Sequence, residues 1–583
     1  MYPYDYMDNW AKFNDVQLPP REQFFSRLRQ CECSVEDYAH AQAVWTAFHI
    51  QNMGEYHDLY LKLDVLLLMV VWEEFTRMCM KNYELDPAHY VSAPSLSWDA
   101  MLKFTKVEME LNSDGAIFKM MDDGLRGGIC QISKRYCKAN NPYIPLEYDR
   151  TKPNSFIIYL DANNLYGWAM SQPQPKGDYK WLSQQEIAAI DWRAQTVDQP
   201  RGYMVECDLD YPAELHEEHN DYPLAAERMI VNYECLSQKQ IEINRCYNMS
   251  RGNKTTKLIP NLLDKRHYIC DYLNLKFYLE HGLKLVKVHR VVSYEQDAWL
   301  KKYIVHNQNL RAAATNEFEK EFFKLMNNSI YGKTCENLKN RSDIRLATTR
   351  KQCKKWLESQ DCLQFRIFGE NLVAVEMQKC CTKIDKPTPV GLKTLEGSKL
   401  LMYEFFYDKL KVWYGNKVHL LFTDTDSLML EIETEDVYKD MKEHSELFDF
   451  SGYPRDHPNY SNANNKVIGK MKDETCGRPI QEYVALRPKM YSFIELTEHG
   501  LVDHHRAKGI QAAASKNLHH AQYLAQLRTP RENYLINRRI GSKCHKLHTI
   551  EVEKRGLCAF DDKRLILNDG RVTLYCKFYM FLF

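Results

Sequence analysis

The sequence predicts a mixed α+β protein, and three stretches carry that prediction. Residues 417–432, KVHLLFTDTDSLMLEI, set two apolar runs around Asp424-Thr425-Asp426-Ser427, the pattern of strand, acidic turn, strand. Residues 155–160, SFIIYL, form a short β-rich run that ends at Asp161. Residues 57–75 and 299–334 carry apolar residues at helical spacing.

At 583 residues the chain is long enough for roughly three to five domains or subdomains. Lys plus Arg equals Asp plus Glu at 78 each, so net charge does not argue for a nucleic-acid partner. The eighteen cysteines are irregularly spaced with no CxxC, which excludes a small disulfide scaffold. Cys31 with Cys33, and the cluster Cys544, His545 and His548, lack a second ligand pair at zinc spacing. Reduced thiols are expected, and with them a nuclear or cytoplasmic protein that is not secreted. The opening MYPYDYMDNW has neither a basic nor an apolar leader region, and the apolar run 65–72 is too short to span a bilayer. No membrane partner is expected.

Taken in order, residues 1–95 read as helical after a Pro-rich start, with Tyr60 and Asp64 four apart and hence on one helix face. Residues 96–150 read as a connector containing Leu125-Arg126-Gly127-Gly128. Paired glycines beside an arginine allow close backbone approach to a phosphate chain, and a plain turn explains them equally well. Residues 151–182 hold the strand ending at Asp161 and a turn into a helix at ANNLYGWAM. A carboxylate at the end of a buried strand suits a catalytic acid or a helix cap. Residues 183–300 alternate strand-like and polar segments and read as an insert.

Residues 301–336 continue the long helical stretch. Lys324, Asn328 and Tyr331 fall at i, i+4 and i+7 on one polar stripe, with Phe322, Leu325, Met326 and Ile330 assigned to the buried side. Arg311 and Lys320 repeat the positive charge, and no acid follows Asn328 until Glu336, which favours an anion site. Residues 337–400 read as a second insert. Within 401–495, a helix over 397–415 leads into the acidic hairpin, and residues 483–493 are predicted as one strand with Lys489 and Tyr491 on one face. Residues 496–583 are predicted helical and basic, with nine Lys or Arg against two acids between residues 501 and 548, as a nucleic-acid groove would produce and a solvated face equally explains.

Two carboxylates at a hairpin tip repel unless a cation or a proton offsets them, and taken alone the stretch reads equally well as a solvated turn, since Asp and Ser are ordinary turn residues. Carboxylates from two strands suit a pair of Mg²⁺ ions, which stabilise the attacking and leaving oxygens of a phosphoryl transfer, and a lysine neutralises the triphosphate.

These residues carry a resemblance to family B DNA polymerases. DANNLYGWAM is similar to their motif A, KLMNNSIYG matches motif B at each fixed position, FTDTDSL is similar to motif C, and KMY fits the K-x-Y element. The four occur in family order, and LDANNLYGWAMSQPQP, FFKLMNNSIYGKT and FDDKRLILNDG resemble the protein-primed polymerases of Polinton/Maverick transposons and related viruses.

The resemblance implies a right-handed polymerase of palm, fingers and thumb preceded by a truncated exonuclease-like domain. It also implies a function: joining dNTPs to a primer 3′-hydroxyl, or to a hydroxyl of a terminal protein, on a DNA template. Asp161 and Asp426 become ligands of two Mg²⁺ ions, with Mn²⁺ as a substitute, and Asp424 an auxiliary catalytic carboxylate. Lys324, Asn328, Tyr331, Tyr166 and Arg311 become the nucleotide site, with Tyr166 against the ribose 2′ position. Lys489 and Tyr491 hold the primer, and Arg126, Gly127 and Gly128 contact template, with Leu125 where the family has Tyr.

Tyr60 and Asp64 fit the third exonuclease motif of that family. The first motif has no match, and the segment nearest the second, residues 9–13, is followed by Asn14 rather than Asp. The implied 3′–5′ exonuclease is therefore expected to be absent. Motif A carries Gly167 where many relatives carry Pro. Two other readings stand beside this one: an inactive nucleic-acid-binding remnant of a transposon polymerase, and a reverse-transcribing palm enzyme, which calls for a Tyr-x-Asp-Asp turn instead.

Overall fold

A computed structural model describes residues 1–249, 255–379, 381, 383–543, 546–570 and 573–575. The protein has a mixed α/β fold organised on a ten-stranded sheet. Ser155–Ala162 lies inside this sheet because SFIIYLDA is apolar and β-rich on both faces. The order is Cys130–Ile132, Val418–Asp424, Ser427–Glu433, Ser155–Ala162, Ile480–Arg487, Met490–Thr497, Gly500–Ala507. A short strand, Met471–Asp473, also pairs with Ser155–Ala162 and sets Lys472 opposite Asp161. The antiparallel register of the central pair runs from Ser427 opposite Asp161 to Glu433 opposite Ser155.

After the central strand, Asn164 caps the helix Leu165–Ser171 by accepting the Gly167 N–H. A side chain at Gly167 would meet Asn164 Nδ2 at 2.2 Å, and a proline there could not donate to the cap, so glycine suits this turn. The following strand, Gln174–Trp181, already belongs to the inserted sheet, whose order is Gln174–Trp181, Lys284–Asp297, Arg201–Asp210, Lys265–Asp271. The insert therefore begins near residue 174 rather than 183.

The stretch 299–334 is two helices, Lys301–Ala313 and Glu317–Thr334, broken where Asn316 caps the second. On the second helix Phe323 is buried and Leu325 is 43% exposed, the reverse of the Leu325 assignment, because the packed face is shifted toward Phe322, Phe323, Met326 and Ile330. A three-stranded sheet, Asp343–Ala347, Leu372–Met377 and Cys362–Gly369, follows. The helix expected at 397 starts at Thr388, so a boundary at 400 cuts through it.

Residues 483–493 are not one strand. Ile480–Arg487 and Met490–Thr497 form a hairpin that turns at Pro488-Lys489, with Lys489 at φ +64°. The last part is not chiefly helical either. Gly500–Ala507 extends the main sheet, His520–Arg528 is a helix, and Tyr534–Lys543 pairs with Lys546–Arg555. Frequent Arg, Lys and His on these strands hide their alternation. Cys544, His545 and most of the apolar ending 575–583 lie outside the described residues, as do 251–254 of the basic stretch.

At the other end, Met53–Tyr83 is a helix of 31 residues capped by Asn52 and ended by left-handed Glu84. Its first turns pack with Tyr2 and Phe24, and its last turns with Leu96, Phe322 and Met326. No helix among the described residues is long and apolar enough to cross a membrane.

Candidate active site

The two strands at the middle of the sheet end together, and each ends in an acid. Ser427 stands opposite Asp161, and the Ala162 N–H donates to the Asp426 carbonyl at 2.7 Å. The hairpin tip is fixed from below. Thr425, at φ +69°, donates its N–H to the Ile129 carbonyl at 2.7 Å, and Asp426 N–H donates to the Asp424 carbonyl at 2.8 Å. Burial, with Asp426 and Glu474 adding repulsion, pushes the Asp161 carboxyl up to about 8. Asp426 is raised by burial, and Asp424 adds to it. Both shifts follow from carboxylates buried beside like charges.

Asp161 and Asp426 are shared by two clefts. One, of about 620 Å³, is also lined by Tyr166, Arg311, Lys324, Asn328, Lys466, Lys472 and Glu474. Lys324 is exposed there, 3.7 Å from Glu321 one turn earlier, and the Arg311 Nε has no hydrogen-bond partner among the described residues. Tyr166 lies face to face with Tyr331, ring centroids 4.6 Å apart and 3° from parallel. Burial, with Asp426 nearby, pushes the Tyr166 hydroxyl up to about 12. The break between the two helices thus still brings Arg311 and the Lys324, Asn328, Tyr331 stripe to one place.

The other cleft, of about 450 Å³, is lined by Asp424, Lys489, Tyr491, His505, Arg506 and Lys508 beside the same two acids. Lys489 Nζ lies 2.7 Å from Asp424 Oδ1, and the pairing keeps its ammonium above the usual lysine range although burial opposes it. Tyr491 is 6% exposed, stacks on Phe422 at 4.4 Å and meets the Tyr159 hydroxyl at 3.1 Å. A Lys and a Tyr two apart do reach the site together, but from a turn and the start of a return strand.

Two site residues escaped the sequence reading. Lys472 and Glu474 form a 2.9 Å ion pair beside Asp161, and Glu474 N–H donates to the Tyr159 carbonyl at 2.9 Å. They sit on and just after a three-residue strand, too short for any periodicity to announce.

Other predicted residues lie elsewhere. The Arg126 side chain is buried, not offered to a template: it donates to the Ile269 carbonyl, stacks 4.0 Å over the Tyr268 ring and lies 3.8 Å from Glu396. An interior acid and an aromatic face hold this arginine inside the fold, where it acts as an internal strut. Gly127 is open, whereas Gly128 lies under the acidic tip, where an added Cβ would come within 2.4 Å of Thr425. Gly128 is therefore required for close packing of the protein on itself. Tyr60 and Asp64 are remote from the acids: the Tyr60 ring stacks on Tyr2, its hydroxyl meets that of Tyr4 at 3.0 Å, and Asp64 is exposed.

A family model described as DNA polymerase type B, organellar and viral, matches residues 51–388. No curated protein matches the sequence. Among solved structures, Phi29 DNA polymerase complexed with primer-template DNA, a post-translocation binary complex, aligns with a TM-score of 0.47 at 14% identity over 82% of this chain and 70% of that one. Its ternary complex with primer-template DNA and incoming nucleotide substrates gives 0.45 at 14% identity over 81% and 68%. The orthorhombic crystal form of Phi29 DNA polymerase gives 0.47 at 13% identity over 94% and 77%.

Proposed function

Because this chain belongs to the type B DNA polymerases of the organellar and viral kind, we propose that it extends a primer 3′-hydroxyl on a DNA template, releasing pyrophosphate with each dNTP joined. The observation that carries this reading is the pair Asp161 and Asp426, brought together at two strand ends and shared by two clefts. In this reading the larger cleft receives the nucleotide and the other receives the primer terminus.

Lys324 and Arg311 hold the triphosphate, Asn328 and the Tyr166–Tyr331 stack line the sugar and base, and Tyr166 rejects a ribose 2′-hydroxyl. Lys489 holds the primer terminus beside Asp424, with Tyr491 as its packed support, and Gly127 offers backbone to the template. The donor set suits Mg²⁺: only carboxylate oxygens, with space left for phosphate oxygens and water. When bound, two Mg²⁺ ions on Asp161 and Asp426, with Mn²⁺ as a substitute, supply charge stabilisation at the reacting phosphate.

The main sheet is assigned as palm, the helices Lys301–Ala313 and Glu317–Thr334 as fingers, and the region from residue 496 as thumb. The inserted sheets after motifs A and B are assigned to terminal-protein binding and processivity, in the replication of a mobile element or virus-like DNA. Support for these assignments is their position between the motifs. The chain is also proposed not to proofread, because Tyr60 is engaged with Tyr2 and Tyr4, and Asp64 stands alone of the expected acids.

Primer extension with Mg²⁺ and four dNTPs tests the central reading. The wild-type protein extends, and Asp426→Ala or Asp161→Ala loses about 10³-fold in rate or more. Folded wild-type protein that fails to extend with either Mg²⁺ or Mn²⁺ overturns it. Offering a DNA primer against a hydroxyl-bearing terminal protein tests the priming mode.

A further inference from the structure

The long helix Met53–Tyr83 is anchored at both ends and bare in the middle. Ten of the twelve residues from 61 to 72 are apolar, and each of the ten is 45–67% exposed. A helix this apolar is ordinarily covered. Its contacts with the body lie on one side. Met53, Tyr56, Met78 and Cys79 are buried there, and Phe75 packs edge-on against Phe318 and Phe322. At 100° per residue the opposite, outward side carries Val65, Leu66, Met69 and Val70, each more than half exposed.

Charges flank that apolar patch in a symmetric order. Asp58 and Lys62 precede it and Glu73 and Arg77 follow it, all exposed and all on the outward face. Their spacing has a property that a lone solvated helix does not need. If two copies of the helix run antiparallel about a point midway between Leu67 and Leu68, Asp58 falls opposite Arg77 and Lys62 opposite Glu73. In the same register Val65 and Leu66 meet Val70 and Met69. Opposite charges thus pair four times around one apolar centre, with no like-charge pair in the register.

We propose that the outward face of Met53–Tyr83 is a two-fold interface with a second copy of this chain. The twenty residues 58–77 span about 30 Å, and near-antiparallel packing keeps long side chains within reach at both ends. Eight side chains from each copy bring the buried area to on the order of 1,000 Å², the lower edge for a specific complex, so the dimer forms in the micromolar range rather than as an obligate unit. The interface is isologous and closes on itself, so it yields dimers and not fibres.

Sedimentation equilibrium of the full chain from 1 to 50 μM, at low and moderate salt, tests this. The expected result is a reversible monomer–dimer equilibrium. Lys62→Glu or Glu73→Lys alone weakens it at least tenfold, and the double variant Lys62→Glu/Glu73→Lys restores it. These are exposed substitutions, and circular dichroism confirms that each variant is folded. A monomer across the whole range overturns the proposal, as does association that grows beyond dimers. Failure of the double variant to recover also overturns it, because a merely sticky apolar helix ignores the charge order.

Discussion

Replacing Gly128 by alanine is a small change aimed at the base of the acidic tip. The new methyl would lie 2.4 Å from both Thr425 Cγ2 and Oγ1, where ordinary contact begins at 3.4 Å, so Thr425 has to retreat by about 1 Å. It cannot do so alone: its N–H is bonded to the Ile129 carbonyl, and Asp424 and Asp426 are its two neighbours. Overpacking of this size costs about 1–3 kcal/mol of stability. The effect on chemistry is larger, because a displacement of ~1 Å at a reacting centre costs about a hundredfold in rate. Single-nucleotide incorporation, with thermal unfolding as the control, measures both. Thr425→Gly removes all three clashing atoms, and glycine accepts φ +69° readily, so Gly128→Ala/Thr425→Gly recovers most of the lost rate. Wild-type incorporation by Gly128→Ala would refute the reasoning, and so would a double variant no better than the single.

Three further outcomes follow from the same geometry. Tyr166→Ala opens the space beside Tyr331 and lowers discrimination against ribonucleotides by about 10–100-fold, read as the ratio of dCTP to CTP incorporation; an unchanged ratio removes Tyr166 from that role. Lys489→Ala leaves Asp424 without its cation and slows primer extension about 10–100-fold, with the KM for dNTP little changed; a selective rise in that KM instead places Lys489 on the nucleotide side. Burial, with Asp408 nearby, pushes Glu404 up to about 7, so the native state keeps a proton that the unfolded chain releases from about pH 4.5 upward. Its contribution to stability is therefore lost as pH rises through 7. Glu404→Gln gains urea resistance over wild type at pH 8 but not at pH 4.5, and an equal difference at both refutes the assignment.

Much of the candidate site was legible because its parts are written in short, strongly patterned stretches. Asp161 ends an apolar run, Asp424 and Asp426 interrupt another, and the Lys324, Asn328, Tyr331 stripe repeats at helical spacing. The strand-to-helix turn at Asn164 was legible for the same reason. What was not legible depends on tertiary partners. Glu474 reaches the acids only because a three-residue strand pairs with the central one. Lys489 reaches Asp424 from a turn whose second central residue is lysine in a left-handed conformation, where glycine or asparagine would have announced a hairpin. Arg126 looked like a phosphate contact until Tyr268 and Glu396 were seen to enclose it. The basic strands after residue 500 read as helix because adjacent charges such as Arg538-Arg539 and Lys554-Arg555 break the alternation that marks a strand.

The central strand also has a history during synthesis. Apart from one bridge from Asn140 to Ser155, its partners come late: the main one begins at Ser427, about 265 residues after Ala162, and the others lie beyond residue 470. At translation speeds of about 5–20 residues per second, SFIIYL waits roughly 15–50 s with both edges open. A β-rich apolar segment in that condition is a template for wrong pairing. The placement of Asp161 between strands from distant parts of the chain therefore makes the nascent polypeptide dependent on protection until the last strands emerge, and yield on expression will track chaperone supply more closely than final stability.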